Sequence, residues 1–150
     1  MRLVVAAVGR AGDDPAARLF ESYRRRLPWP LELREVRAGG GGKAGREREA
    51  AALLKGLPAG AHVVALDGSG KALTSEAFAA RIAYQRDEGT AVMAFLIGGA
   101  DGHGDAALAR ADTVLSLGPM TWPHLLARAM LAEQLWRAAS ILSGHPYHRE

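Results

Sequence analysis

The stretch AVMAFLIGGADGHG (residues 91–104) decides the fold. Its first half, AVMAFLI (91–97), is apolar without alternation, so a strand formed by it has both faces buried. Its second half is a glycine-rich loop. A strand buried on both sides belongs in a parallel sheet covered by helices above and below, because an antiparallel sheet would leave one face wet.

Working outward, the same pattern repeats. HVVAL (62–66) predicts another central strand, and RLVVAAV (2–8) an opening strand that meets Gly9. LELREVR (31–37) alternates apolar and charged residues, so that strand has one wet face. A last strand is expected over 113–117. Between them lie helical periods. Pro15 opens a helix carrying Leu19, Phe20, Tyr23 and Leu27, ended by Pro28 and Pro30. Residues 46–57 bring Ala50, Leu53, Leu54 and Leu57 to one side. Thr74 and Ser75 can cap a helix with Phe78 and Ile82 inward. A short helix is expected near 106–111 and a long one over 123–143. Strand and helix alternate throughout, which predicts an α/β fold: a mainly parallel sheet with helices on both faces. No linker or repeat interrupts it, so residues 1–150 are expected to form a single domain.

Composition narrows the function classes. The 150 residues carry a net charge of +3 and no cysteine. Disulfides, iron–sulfur clusters and thiolate zinc are therefore excluded. The opening MRLVVAAVGRAG is too short a run for a secretion signal and is followed by Asp13 and Asp14. No apolar run is long enough to cross a bilayer, and a cytoplasmic protein is expected. His103, His145 and His148 have no familiar ligand spacing, so no metal is expected.

The low-complexity stretch AGGGGKAG (38–45) follows a strand and precedes a helix, as a phosphate loop does. It lacks the required first glycine, which would fall on Arg37, and Ala44 replaces the Ser or Thr after the lysine. It reads as a mobile surface loop, or as a flexible basic arm whose Lys43, Arg46 and Arg48 meet phosphates. Arg24, Arg25 and Arg26 form a second basic run.

Three loops follow the last three strands: LDGSGK (66–71), IGGADGHG (97–104) and LGPMTWPH (117–124). In open parallel sheets ligands bind outside the carboxyl ends of the strands. Each loop alone could be a tight turn; together they favour a small-molecule site approached closely by main-chain amides. The dinucleotide spacing is absent. In the helix that follows, Leu125, Leu131, Leu135 and Trp136 fill one broad side, while Leu126, Met130 and Ile141 lie nearly opposite. Two apolar stripes mean burial on two sides, by a central position in the monomer or by a partner. Arg128 falls on the apolar side, which suggests a carboxylate partner across an interface.

FLIGGADG, SLGPMTWPH, a helix bearing Arg128, Glu133, Gln134 and Arg137, and a terminal HPYHRE together resemble the ribosomal RNA large-subunit methyltransferase H family of the SPOUT superfamily. The likeness runs the length of the chain, including ESYRRRLP. It implies a C-terminal trefoil knot, a homodimer, S-adenosylmethionine as methyl donor, and N3 of a pseudouridine in large-subunit ribosomal RNA of the assembled ribosome as acceptor.

Carried onto this sequence, the donor site comprises Leu66, Gly98, Gly99 and the run Leu117, Gly118, Pro119, Met120, Thr121 and Trp122. The catalytic group comprises Tyr147, His148, Arg149 and Glu133, with the tail reaching the partner's donor pocket. His124 has a packing or capping role or a catalytic one. The sequence departs from the family at Ala100-Asp101, where Pro-Glu is frequent, and at Gly118, where serine is common. A contact of Asp101 to the donor's charged end is thereby in question. The competing reading is a non-catalytic RNA- or ribosome-binding module that keeps the fold. A nucleotide-binding enzyme is a poorer third, lacking both fingerprints.

Overall fold

The computed structural model describes residues 1–149. Five strands, β1 (Arg2–Val8), β2 (Leu31–Val36), β3 (His62–Ala72), β4 (Val92–Ile97) and β5 (Thr113–Ser116), form one sheet in the order β2-β1-β4-β3-β5. Every pairing is parallel. All six residues of β4 are buried, as its unbroken apolar run requires.

Alternation along the strands sorts the core into two layers. Leu3, Val5 and Ala7 of β1 with Met93, Phe95 and Ile97 of β4 face one side. There they meet Phe20 of α1 (Pro15–Arg24), Phe78 and Ile82 of α3 (Ser75–Asp87), and Leu131 and Leu135 of α5 (His124–Ser143). Val4, Ala6 and Val8 with Ala94 and Leu96 face the other side, against Ala50 and Leu53 of α2 (Gly42–Leu54) and Ala107 of α4 (Asp105–Arg110). The expected sheet covered on both faces is therefore observed.

Helix ends follow local chemistry. Asp14 accepts from the Ala16 amide at 2.8 Å with Pro15 in the first turn, and Thr74 accepts from Ala77 at 3.1 Å. α5 stops at Gly144, whose φ of 74° is the left-handed cap.

Three elements differ from the sequence reading. α1 ends at Arg24 rather than running through Leu27 to Pro28. α2 begins at Gly42 rather than residue 46 and ends at Leu54 rather than 57. No side chain of its own caps it. The cap comes from the β4 loop, where the Asp101 carboxylate accepts from the Gly42 amide at 3.2 Å. The preceding glycines are packed: a Cβ on Gly39 would sit 2.2 Å from the Gly45 carbonyl oxygen. Part of the supposed loop is thus helix, and the rest is tied down. β3 runs to Ala72 instead of stopping at Leu66, with a register shift between Leu66 and Lys71, both of which pair Leu115. Gly70 permits this, because a Cβ there would lie 2.6 Å from the Val114 backbone.

Candidate donor cavity and tail cluster

Because all strands run parallel, the shifted segment of β3 after Leu66 and the loops after β4 and β5 lie at one edge of the sheet, and they converge. They enclose a cavity of about 610 Å³. Leu66, Asp67 and Gly68 come from β3 at its register shift, the stretch read from sequence as a loop; Gly98, Gly99, Ala100, Gly102 and His103 come from the loop after β4. The loop after β5 gives the whole run Leu117, Gly118, Pro119, Met120, Thr121 and Trp122, continued by Pro123, His124 and Ala127 at the start of α5. All nine residues assigned to the donor site from sequence line this one cavity.

Backbone geometry explains the glycines that matter. A Cβ on Gly98 would lie 3.0 Å from the Gly102 backbone and 3.2 Å from the His103 amide, so the loop closes on itself only around glycine. Gly118 has φ 108°, where an L side chain is strained. Its amide and carbonyl both bond the Ser116 hydroxyl at 3.1 Å, which accepts from the first and donates to the second. Glycine therefore suits this backbone better than the serine frequent at that position. The Trp122 indole donates to the Leu117 carbonyl at 3.3 Å, closing the loop as a ring. Met120 and Trp122 remain 72% and 39% exposed at the mouth.

Three polar residues of this wall stand outside the nine assigned from sequence: Asp67 and His103, which were given no role in the donor site, and His124, which was read as packing, capping or catalytic. Asp67 folds its carboxylate onto Ser69, accepting from the hydroxyl at 2.5 Å and the amide at 3.0 Å. The Ser69 hydroxyl chiefly holds its pKa below the ordinary carboxylate value, against the opposing effect of burial. His103 is buried, with Nε2 3.2 Å from the Leu96 carbonyl and Nδ1 without a partner. Burial holds its pKa below the ordinary value and outweighs the carbonyl contacts and Asp67, so the imidazole is neutral. Its position in the glycine-rich loop, between Gly102 and Gly104, was the available signal. His124 also has a buried, unpartnered Nδ1 and makes no capping bond. Asp101 does not line the cavity; its carboxylate braces α2, as above.

The tail residues assemble elsewhere. Pro146–His148 form a 3₁₀ turn that folds back on α5. The Tyr147 hydroxyl donates to Glu133 at 3.1 Å, and its ring packs 5.5 Å from Trp136. The Arg137 guanidinium lies 5.2 Å from the Tyr147 ring and donates twice to Glu133. Gln134 donates to the other Glu133 oxygen at 2.8 Å and accepts from Ser75 at 2.7 Å. Burial first, then Tyr23 and Glu133, push the Tyr147 phenol well above its ordinary pKa, so it is a hydrogen-bond donor and not a base. His148 keeps a buried, unpartnered Nδ1, and Arg149 is exposed. None of these four residues lines the donor cavity. Glu133 faces a separate groove of about 510 Å³ between α1, α3 and α5, with Leu19, Tyr23 and Met130 in its walls. The two groups are separate clusters within one chain.

Arg128 is corrected. It is buried, yet its carboxylate is in its own chain: Glu35 of β2, at 2.6 Å. Its guanidinium also donates to the carbonyls of Val8 at 2.9 Å and Gly9 at 2.7 Å. It joins α5 to the ends of β1 and β2.

Comparison with known proteins agrees with this geometry. The family model described as "Predicted SPOUT methyltransferase" matches residues 1–148. A "Ribosomal RNA large subunit methyltransferase H" of Paramagnetospirillum magneticum is 57% identical, with 99% of each chain covered. Proteins of the same name from Rhodospirillum centenum and Rhodospirillum rubrum are 56% and 51% identical, again over 99% of each chain.

Proposed function

The chain belongs to the SPOUT methyltransferase family, and from that premise we propose that it methylates N3 of a pseudouridine in large-subunit ribosomal RNA, as a cytoplasmic homodimer acting on the assembled ribosome. One observation carries the proposal: Leu66, Gly98, Gly99 and the six residues from Leu117 to Trp122 meet in one cavity at the carboxyl edge of the sheet. That cavity fits S-adenosylmethionine. Its volume is that of a nucleoside-sized site, and its glycine backbones leave main-chain groups open to a flat ring while Leu66 and Leu117 offer apolar faces. Among the described residues no helix is long and apolar enough to cross a membrane. The family's trefoil threading of the C-terminal segment belongs to the same proposal.

S-adenosylmethionine, when bound, supplies a methyl group already activated on its sulfonium sulfur. The protein's task is then alignment and proton removal. In transfer the new bond joins the methyl carbon to N3, the carbon–sulfur bond breaks, and the N3 proton must leave. His148, with a free ring nitrogen, takes that proton, or Glu133 does. Tyr147, held protonated, orients Glu133 by donating to it. Arg149 is exposed and free to meet a phosphate.

The homodimer supplies the missing geometry. The tail cluster lies apart from its own donor cavity, and Leu126, Met130 and Ile141 of α5 are half-buried, Met130 sharing a groove with Glu133. A partner packed on that strip receives the tail at its cavity mouth, where Met120 and Trp122 stand exposed. The test is methylation of unmodified ribosomes with isotopically labelled donor, followed by mapping of the labelled nucleotide. Label at N3 of one pseudouridine is expected; label elsewhere, or none, overturns the assignment.

A further inference from the structure

Resting on that reading, we infer that the glycine-rich ledge 37–48 is an RNA-backbone docking surface beside the donor cavity, with Arg37, Lys43 and Arg46 as its phosphate-contacting cations. Three observations carry it. The first is position. Asp101 holds the Gly42 amide at 3.2 Å, and its neighbours Ala100 and Gly102 line the cavity. A Cβ on Gly104, in the same loop, would lie 2.6 Å from the Arg46 carbonyl oxygen. The ledge is therefore built onto the cavity's own wall.

The second is rigidity. Glu49 accepts from the Gly39 amide at 2.9 Å, and Arg48 donates twice to the Gly39 carbonyl. What the sequence suggested as a flexible arm is clamped at both ends. The backbone that carries its cations is ordered before RNA arrives, which lowers part of the entropy cost of contact.

The third is charge. Some cations are neutralised, as Arg2 and Arg34 are by Glu32, Arg24 by Glu21 and Arg110 by Asp112. Arg37, Lys43 and Arg46 make no ion pair with the described residues. Asp101 and Glu49 accept from the Gly42 and Gly39 amides and keep their negative charge, as Glu47 does, so Arg37, Lys43, Arg46 and Arg48 outnumber the acids beside them by one. Arg48 spends its donors on a neutral carbonyl, so its charge adds to the field. Cations without an ion-pair partner, carried on an ordered backbone beside the donor cavity, suit the phosphates flanking a target nucleotide, which position RNA without reading its sequence.

The test compares the full-length protein with two triple variants of equal charge loss. One carries Arg37→Gln, Lys43→Gln and Arg46→Gln. The control carries Lys55→Gln, Arg81→Gln and Arg86→Gln, all exposed, with Lys55 at the carboxyl end of α2 and Arg81 and Arg86 on α3, away from the ledge. Calorimetry with S-adenosylmethionine should find all three proteins alike. For ribosomes, the ledge variant should raise KM on the order of tenfold with kcat retained, and lower the slope of log affinity against log salt by about three. The control should stay near the wild type. Equal losses in both variants make the effect one of net charge and overturn the ledge, as does a ledge variant that matches the wild type. A ledge variant that binds protein-free ribosomal RNA normally but ribosomes weakly means a ribosomal protein is the partner, which also overturns it. A wild type that transfers no methyl group to any ribosomal RNA defeats the parent reading instead.

Discussion

At the scale of single residues, Arg128 is the most constrained charge in the molecule. Its guanidinium is 2% exposed and bonds Glu35, Val8 and Gly9, while Glu35 also accepts from the Ala11 amide at 2.8 Å. Removing it strands a carboxylate and two carbonyls. Arg128→Met should cost about 3 kcal/mol in chemical denaturation, and Glu35→Gln less, since Glu35 is partly solvated. Burial opposes ionisation of Glu35, but the Ala11 amide and Arg128 outweigh it and leave its pKa below the ordinary carboxylate value. Its contribution is therefore complete above the unfolded-state pKa and fades as pH falls through the lowered folded value. The stability gap between wild type and Glu35→Gln should shrink on acidification over that range. Gly98 makes a second residue-scale case. Gly98→Ala places a methyl 3.0 Å from the Gly102 backbone, which has no flexible side chain to yield. Calorimetry should show S-adenosylmethionine affinity reduced by about tenfold or more, with the far-ultraviolet dichroism unchanged.

At the scale of elements, what could be read from sequence and what could not divide along a physical line. The buried strands announced themselves: β1 and β4 are apolar at nearly every position because both faces are covered, and their ends came out within a residue of the expected places. The Leu117–Trp122 run was legible through its family resemblance, not through periodicity. α2 was misplaced by four residues because its cap is Asp101, 59 positions away in sequence, and no local rule sees such a partner. The extension of β3 was hidden for a similar reason, since Gly70 looked like a turn residue until β5 lay against it. Arg128 was rightly placed on the apolar side, but its carboxylate lay in β2 of the same chain. Asp101→Ala tests the remote cap: the Gly42 amide loses its acceptor, and hydrogen exchange in the first turn of α2 should accelerate with a stability loss of about 1 kcal/mol. Protection unchanged there would mean that the packed glycines hold the helix start without it.

At the scale of the whole molecule, the arrangement poses a single geometric problem. The donor cavity opens at the carboxyl edge of the sheet, whereas Glu133 and Tyr147 form a hydrogen-bonded cluster on α5 that does not line it. If a homodimer brings each tail to the other subunit's cavity, activity needs two half-sites from two chains and survives damage that spares one such pair. Two defective chains put this to the test. The first lacks residues 146–150 but keeps its cavity; the second carries Gly98→Val, which blocks the cavity but keeps its tail. Each should be inactive alone, with S-adenosylmethionine binding retained only in the first. Co-expressed with different tags and purified through both, they form heterodimers in which one composite site has an intact cavity and an intact tail. Such heterodimers should recover about half the activity of a wild-type dimer, since one of two sites is restored. If each tail served its own subunit's cavity, no chain in the mixture would hold both parts and no activity would return. The mixture therefore separates sharing between subunits from action within one, a distinction that loss of function in either variant alone does not make.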